Sequence, residues 1–184
     1  MKTRDLVLTA LFAALTAVGA FIKIPIPYVP ITLQFMFCAF SGLLLGAKLG
    51  ALSQGIYVGL GLAGLPIFTA GGGIGYIFNP TFGYLLGFIL CAFVIGKVSE
   101  RIKKISIINM FAVVLLGLFI VYLIGVPYLY GIFNLYIGSH KTITWVLYNG
   151  FVLTIWKDII LSFMIAGIAT RLIPLLRRMG YLPN

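Results

Sequence analysis

Between Asp5 and Glu100 the chain carries no acidic residue and only three lysines, Lys23, Lys48 and Lys97. A water-soluble domain needs charge on about one residue in four to cover its surface. Here apolar runs of roughly membrane-span length pass without any, so their side chains must face lipid or one another. Over all 184 residues, 62% are hydrophobic and 9% charged, with a mean hydropathy of +1.17. The pattern predicts one all-α membrane domain over residues 1–184, with no linker composition to divide it.

A helix crosses the hydrocarbon with about 20 apolar residues, fewer where a bundle shields it. Six stretches qualify: Leu6–Ile24, Leu33–Ala47, Leu49–Leu62, Thr81–Lys97, Ile107–Val126 and Trp156–Ile173. Prolines, glycines or charges fall between them, where turns are expected. The opening MKTRDLVLTALFAALTAVGA has the basic start and small-residue end of a secretory signal. Its apolar run continues through Ile22, however, and the charge pattern requires it, so it is read as the first span.

Thirteen Lys and Arg against three acids give a net charge of +10. With no soluble fold to carry a basic patch, nucleic acid is not the expected partner; the cations instead flank spans. Placing the N-terminus in the cytoplasm puts Lys2, Arg4, Lys48, Lys97, Arg101, Lys103, Lys104, Arg171, Arg177 and Arg178 inside, and only Lys23, Lys141 and Lys157 outside. That asymmetry predicts a bundle of six transmembrane helices with both termini cytoplasmic. The long connections, residues 24–34, 64–80 and 127–155, then lie on the outer side, over short inner turns. The expected result is a pocket that opens outward.

Catalytic groupings are sparse. His140 has no second histidine for a metal site, no P-loop sequence occurs, and GGGIG at 71–75 lacks the strand and spacing of a dinucleotide fingerprint. Cys38 and Cys91 lie inside separate apolar runs and read as packing residues. No cofactor and no enzyme activity are expected.

The informative polar groups are few. Asp158, at the outer start of the last span, is costly at membrane depth unless partnered. It either accepts hydrogen bonds from a ligand or simply favours the helix N-terminus, while Lys157 beside it either pairs with an anion or extends to the interface. Asn79 before Pro80 suits a helix cap or a pocket wall. Three prolines in IPIPYVPITLQ deny residues 24–34 a helix, so Thr32 and Gln34, two apart in extended chain, face the same side. Such backbone at membrane depth lines a cavity or packs on protein. Small residues recur four apart at Ala10 and Ala14, at Ala13 and Ala17, and at Gly42, Gly46 and Gly50, allowing helices to approach closely.

Taken in order, IPIPYVPITLQ, then GLPIFTAGGGIGYIFNPTFGYLLGF, then the late helix with Asp158 resemble BioY, the biotin-specific S component of energy-coupling factor transporters. The resemblance extends along nearly the whole chain. It implies a six-helix subunit holding biotin near the outer face, with two ATPase subunits joined to it through a transmembrane coupling protein that contacts the alanine-rich first helix at Ala10 and Ala14. Carried over by position, Thr32 and Gln34 fall in the first-loop motif, Gly73, Asn79 and Tyr84 in the second, and Asp158 matches the late aspartate. The family's Asp-x-x-Lys unit is broken here by Leu161; Lys157 precedes the acid instead, and Trp156–Lys157 replace a proline-glycine pair.

Biotin's chemistry suits this inventory. Asp158 or Asn79 is suited to accept from its ureido N–H groups, Lys157 or Lys23 to pair with its carboxylate, and Phe68, Tyr76 or Trp156 to pack its rings. The alternative is an S component for thiamine or riboflavin; a cationic vitamin would call for more outer-face acids than Asp158 alone. IPIPYVPITLQ is expected to be a lid over the pocket.

Overall fold

The computed structural model describes residues 2–102 and 104–179; Lys103, one of the cations counted above, and residues 180–184 lie outside that description. Helix α1 spans Thr3–Phe21. The proline-rich segment that follows forms two short antiparallel strands, β1 (Lys23–Ile24) and β2 (Ile31–Thr32), paired Lys23 to Thr32 and Ile24 to Ile31. Helix α2 spans Gln34–Leu62 and α3 Phe82–Ser99, with a short 3₁₀ turn at Ile74–Phe78 between them. Helix α4 (Ile107–Gly131), a short α5 (Ile143–Leu147) and α6 (Leu153–Arg178) complete the chain, with π-helical turns at Ile132–Tyr136 and Tyr148–Val152. Among the described residues, five helical stretches are long and apolar enough to cross a membrane. Helix α2 packs against α1 and α3, α3 against α4, α4 against α6, and α6 returns to touch α2.

The 29 residues of α2 do not form one rod. Gly46 sits at φ 79°, ψ −179°, a conformation open essentially only to glycine. The chain reverses there. Gln34 hydrogen-bonds Tyr57, and Gln54 hydrogen-bonds Ser41, pairs nested about residue 46 that a straight helix would hold far apart. A Cβ added at Gly50 would lie 2.9 Å from the Gly42 Cα. The second arm begins at Ala47, whose N–H donates at 2.9 Å to Oε1 of Glu100 at the end of α3. A carboxylate from another helix therefore caps this helix start. The expected break near Ala47–Lys48 is thus found at Gly46, where the glycine serves as the turn rather than as a packing surface.

A buried polar knot ties α1 to both arms. The Gln54 amide nitrogen donates toward Thr16 (3.1 Å), Ser41 (3.2 Å) and Ser53 (3.0 Å). Each hydroxyl is free to accept because its own proton goes to a backbone carbonyl, Phe12, Cys38 and Gly50 respectively. Around the knot Ala13 and Ala17 face inward, whereas Ala10 and Ala14 are exposed. The two alanine pairs on α1 therefore have different partners.

Several boundaries differ from expectation: α1 ends at Phe21 rather than Ile24, because the proline-rich segment draws Lys23–Ile24 into β1. α4 runs through Pro127 to Gly131 instead of ending at Val126, because proline is tolerated in apolar helices whose freed carbonyls find partners in the bundle. The connection read as residues 127–155 is mostly helical, through the two π turns and α5. α6 starts at Leu153, so Asp158 lies in its second turn, beyond the first-turn position the dipole reading needed.

Candidate ligand-binding site

A cavity with about 570 Å³ of empty space, counted to its open mouth, lies beneath β2 and is walled by α2, α3, α4 and α6. Val29, Pro30 and Thr32 roof it, and Phe35, Leu85, Phe88, Leu118 and Val121 give it an apolar lining.

Its polar end is built by α4 and α6. Asp158, 4% exposed, has one carboxylate oxygen held by the Tyr122 hydroxyl, which donates to Oδ2 at 2.6 Å. The other, Oδ1, is 2.7 Å from the Lys157 ammonium. Lys157 does not extend outward to the interface; it turns in and also donates at 3.4 Å to the Thr32 carbonyl on the lid strand. The Tyr122 hydroxyl is 2.9 Å from Thr154, which bonds back to the Phe151 carbonyl in the π turn. Tyr84 donates at 2.8 Å to the Gly150 carbonyl in the same turn.

Thr32 and Gln34 do share a side. The Thr32 hydroxyl donates to Gln34 Oε1 at 3.1 Å, and the Gln34 amide donates to the Tyr57 hydroxyl at 2.8 Å, which in turn donates to the Ile67 carbonyl. On the opposite wall, the Thr81 hydroxyl spends its proton on Asn79 Oδ1 at 2.8 Å. Tyr76, 3.2 Å from Thr81, must then donate to it, and Thr69, 2.9 Å from Tyr76, must donate in turn. Nearly every hydroxyl in the wall has its proton committed to a protein acceptor. What remains for a ligand is mostly lone pairs, with Lys157 as the cationic exception.

Of the residues singled out in the sequence, Thr32, Gln34, Tyr84, Lys157 and Asp158 line the cavity together. Asn79 stands behind the wall and acts through Thr81; it does not cap α3 from the N-cap position, which Thr81 occupies. Gly73, at φ 99°, turns the second loop, its N–H donating to the Gly61 carbonyl at 2.7 Å. Lys23 donates to the Thr69 carbonyl at 2.5 Å, tying the first loop to the second. Phe68 is buried between Tyr57 and Tyr76, Trp156 is exposed, and only Tyr76 of the three candidate ring partners reaches the lining. Tyr122, Thr154, Thr69 and Thr81 were not anticipated as site residues. Their hydroxyls acquire meaning only once α4, α6 and the second loop are brought together.

The BioY family model matches residues 1–178. The chain belongs to the BioY family. The Lysinibacillus sphaericus protein named "Probable biotin transporter BioY" is 47% identical over 176 residues, covering 96% of this chain and 90% of that one. The biotin transporter BioY of Thermotoga maritima is 43% identical over 170 residues, covering 92% and 95%. A solved S-component for biotin from an ECF-type ABC transporter superposes with a TM-score of 0.81 at 28% identity, covering 94% of each chain. BioY membership places the chain among transport proteins rather than enzymes, and with its apolar helices makes it a multi-pass protein of the prokaryotic cell membrane.

Proposed function

We propose that this chain binds biotin as the S component of an energy-coupling factor uptake transporter. The observation that carries the reading is the cavity beneath the first loop, apolar along its length and ending in the Lys157–Asp158 pair. Ligand entry exchanges that internal pair for two ligand contacts: Asp158 accepts from the ureido N–H groups, and Lys157, on its flexible stem, takes the carboxylate. Neither buried charge is then left alone, which matters because an uncompensated one costs several kcal/mol. A wall whose hydroxyl protons are already committed suits the N–H donors of the ureido ring. Thr32, Gln34 and Tyr84 complete the site directly, Asn79 holds Thr81, and Gly73 shapes the second loop.

In this reading α2 crosses the membrane twice, its arms turning at Gly46, so the bundle has six spans with both termini cytoplasmic. The exposed Ala10–Ala14 strip faces a transmembrane coupling protein, and ATP hydrolysis belongs to two separate subunits. The deciding experiment is calorimetric titration of the detergent-solubilised protein with biotin, thiamine and riboflavin. One-to-one binding of biotin alone is expected. Binding of another vitamin instead would move the substrate, and binding of none by a folded sample would remove the reading. Ala14→Trp is expected to leave biotin binding unchanged while stopping uptake in cells that carry the whole transporter; loss of binding would show that this exposed strip serves the binding fold rather than a partner.

A further inference from the structure

The first loop holds one residue in an unfavourable conformation. Tyr28 has φ 70°, and the Val29 N–H donates across it to the Pro27 carbonyl at 2.9 Å. That is the pattern of the positive-φ γ-turn, rare and strained, and a bulky aromatic residue there is a genuine outlier. Such strain persists only where the surroundings over-determine it. Pro25, Pro27 and Pro30 deprive the loop of backbone donors, so it has few hydrogen bonds with which to do so.

The Tyr28 ring supplies the missing restraint. It meets Phe133 edge-on at 5.5 Å and 78°, and Trp145 at 4.7 Å and 72°; those two rings meet each other at 5.2 Å and 75°. All three contacts have the edge-to-face geometry that aromatic quadrupoles favour. Phe133 belongs to the π turn after α4 and Trp145 to α5, so the contacts join the first outer loop to the third. Phe133 is buried and Trp145 half-buried, whereas Tyr28 remains 46% exposed, so the inserted ring lies at the surface. Directly after Tyr28 come Val29, Pro30 and Thr32, which roof the cavity.

We propose that Tyr28 is a positioning residue that keeps the first loop shut over the cavity by docking into the Phe133–Trp145 socket, and that this clasp sets how long a ligand stays. The strained turn works against it. Once the ring leaves the socket the turn relaxes, so the loop has two arrangements rather than a continuum. The effect on ligand residence rests on the binding reading above; the clasp itself does not need a ligand to be seen.

Two measurements test it. Biotin dissociation is timed for Tyr28→Ala, Tyr28→Phe, Trp145→Ala, Phe133→Leu and the Tyr28→Ala/Trp145→Ala pair, with melting temperatures alongside. Tyr28→Ala, Trp145→Ala and Phe133→Leu are expected to release biotin faster, by about ten- to a hundredfold for the two alanine variants. Tyr28→Phe, which keeps the ring, stays within about twofold of the parent, and the double variant releases no faster than the faster single one. Without ligand, Trp156→Phe leaves Trp145 as the one tryptophan of the two in the chain. Acrylamide should then quench Trp145 more strongly when Tyr28→Ala is added, and no more strongly with Tyr28→Phe. Unchanged release and quenching in Tyr28→Ala would overturn the clasp, as would Tyr28→Phe behaving like Tyr28→Ala. If the parent protein binds no biotin, the functional reading fails while quenching still decides the clasp.

Discussion

Asp158→Asn is expected to weaken biotin binding by about ten- to a hundredfold, the range for losing a hydrogen bond to a charged group. The fold should survive with a lowered melting temperature, because the buried Lys157 ammonium loses its carboxylate partner. Tyr122 can still donate to the amide oxygen from 2.6 Å, and Lys157 keeps its contact with the Thr32 carbonyl. Biotin methyl ester, which retains the ureido ring but has no carboxylate, separates the two contacts proposed for the ligand. Asp158→Asn should lower affinity for biotin and its ester alike, because it acts at the ureido end. Lys157→Met should penalise biotin strongly and narrow the gap between acid and ester. If Asp158→Asn binds both ligands as the parent does, Asp158 has no part in recognition. If Lys157→Met leaves the acid–ester preference intact, another cation holds the carboxylate. The second result would be informative, since Lys23 is already engaged with Thr69 and does not line the cavity.

The largest effect on the fold itself is expected from Gly46→Val. A side chain at φ 79°, ψ −179° costs about 1–3 kcal/mol in backbone conformation alone. Its Cβ would also lie 2.5 Å from Glu100 Oε1, the group that caps Ala47. Losing a cap of this kind costs about 1 kcal/mol more. Against a typical stability of about 5–15 kcal/mol, the combined penalty is severe. The variant is expected to melt well below the parent and to lose ligand binding, because the Gln34–Tyr57 alignment depends on the reversal. Gly59→Ala on the same helix, where an added Cβ meets nothing within 4 Å, is the control and should be neutral or slightly stabilising. Adding Glu100→Ala to Gly46→Val removes the collision but not the backbone conformation, so it should not restore stability. A rescue would show that the side-chain clash, rather than the turn, dominates.

The sequence was most legible where polarity is scarce. Asp158, Thr32 and Gln34 stood out because each interrupts an apolar run, and all three meet in the cavity. The prolines of residues 24–34 announced extended chain, and β1 and β2 are there. Tyr122 was hidden for the opposite reason. A tyrosine inside VYLIG reads as one more large apolar side chain, and its hydroxyl gains a role only when α4 is set against α6. Gly46 was seen as one of three small residues at helical spacing, since spacing alone cannot tell a packing glycine from a turning one. Asn79 reads in the sequence as a substrate-binding residue, but it is absent from the cavity lining and its oxygen accepts from Thr81, an arrangement that local sequence does not encode.

The adjacency of Lys157 and Asp158 also bears on how the protein reaches its membrane. A lone carboxylate or ammonium in a nascent span resists leaving the aqueous channel for lipid. Neighbours 2.7 Å apart on α6 leave together, as a dipole with no net charge. They also arrive last. The two arms of α2, α3 and α4 precede α6 in the chain, so the Tyr122 hydroxyl and the Thr32 carbonyl have been synthesised before the pair they receive. The pair proposed for recognition is therefore also less costly to carry into the bilayer than either charge would be alone.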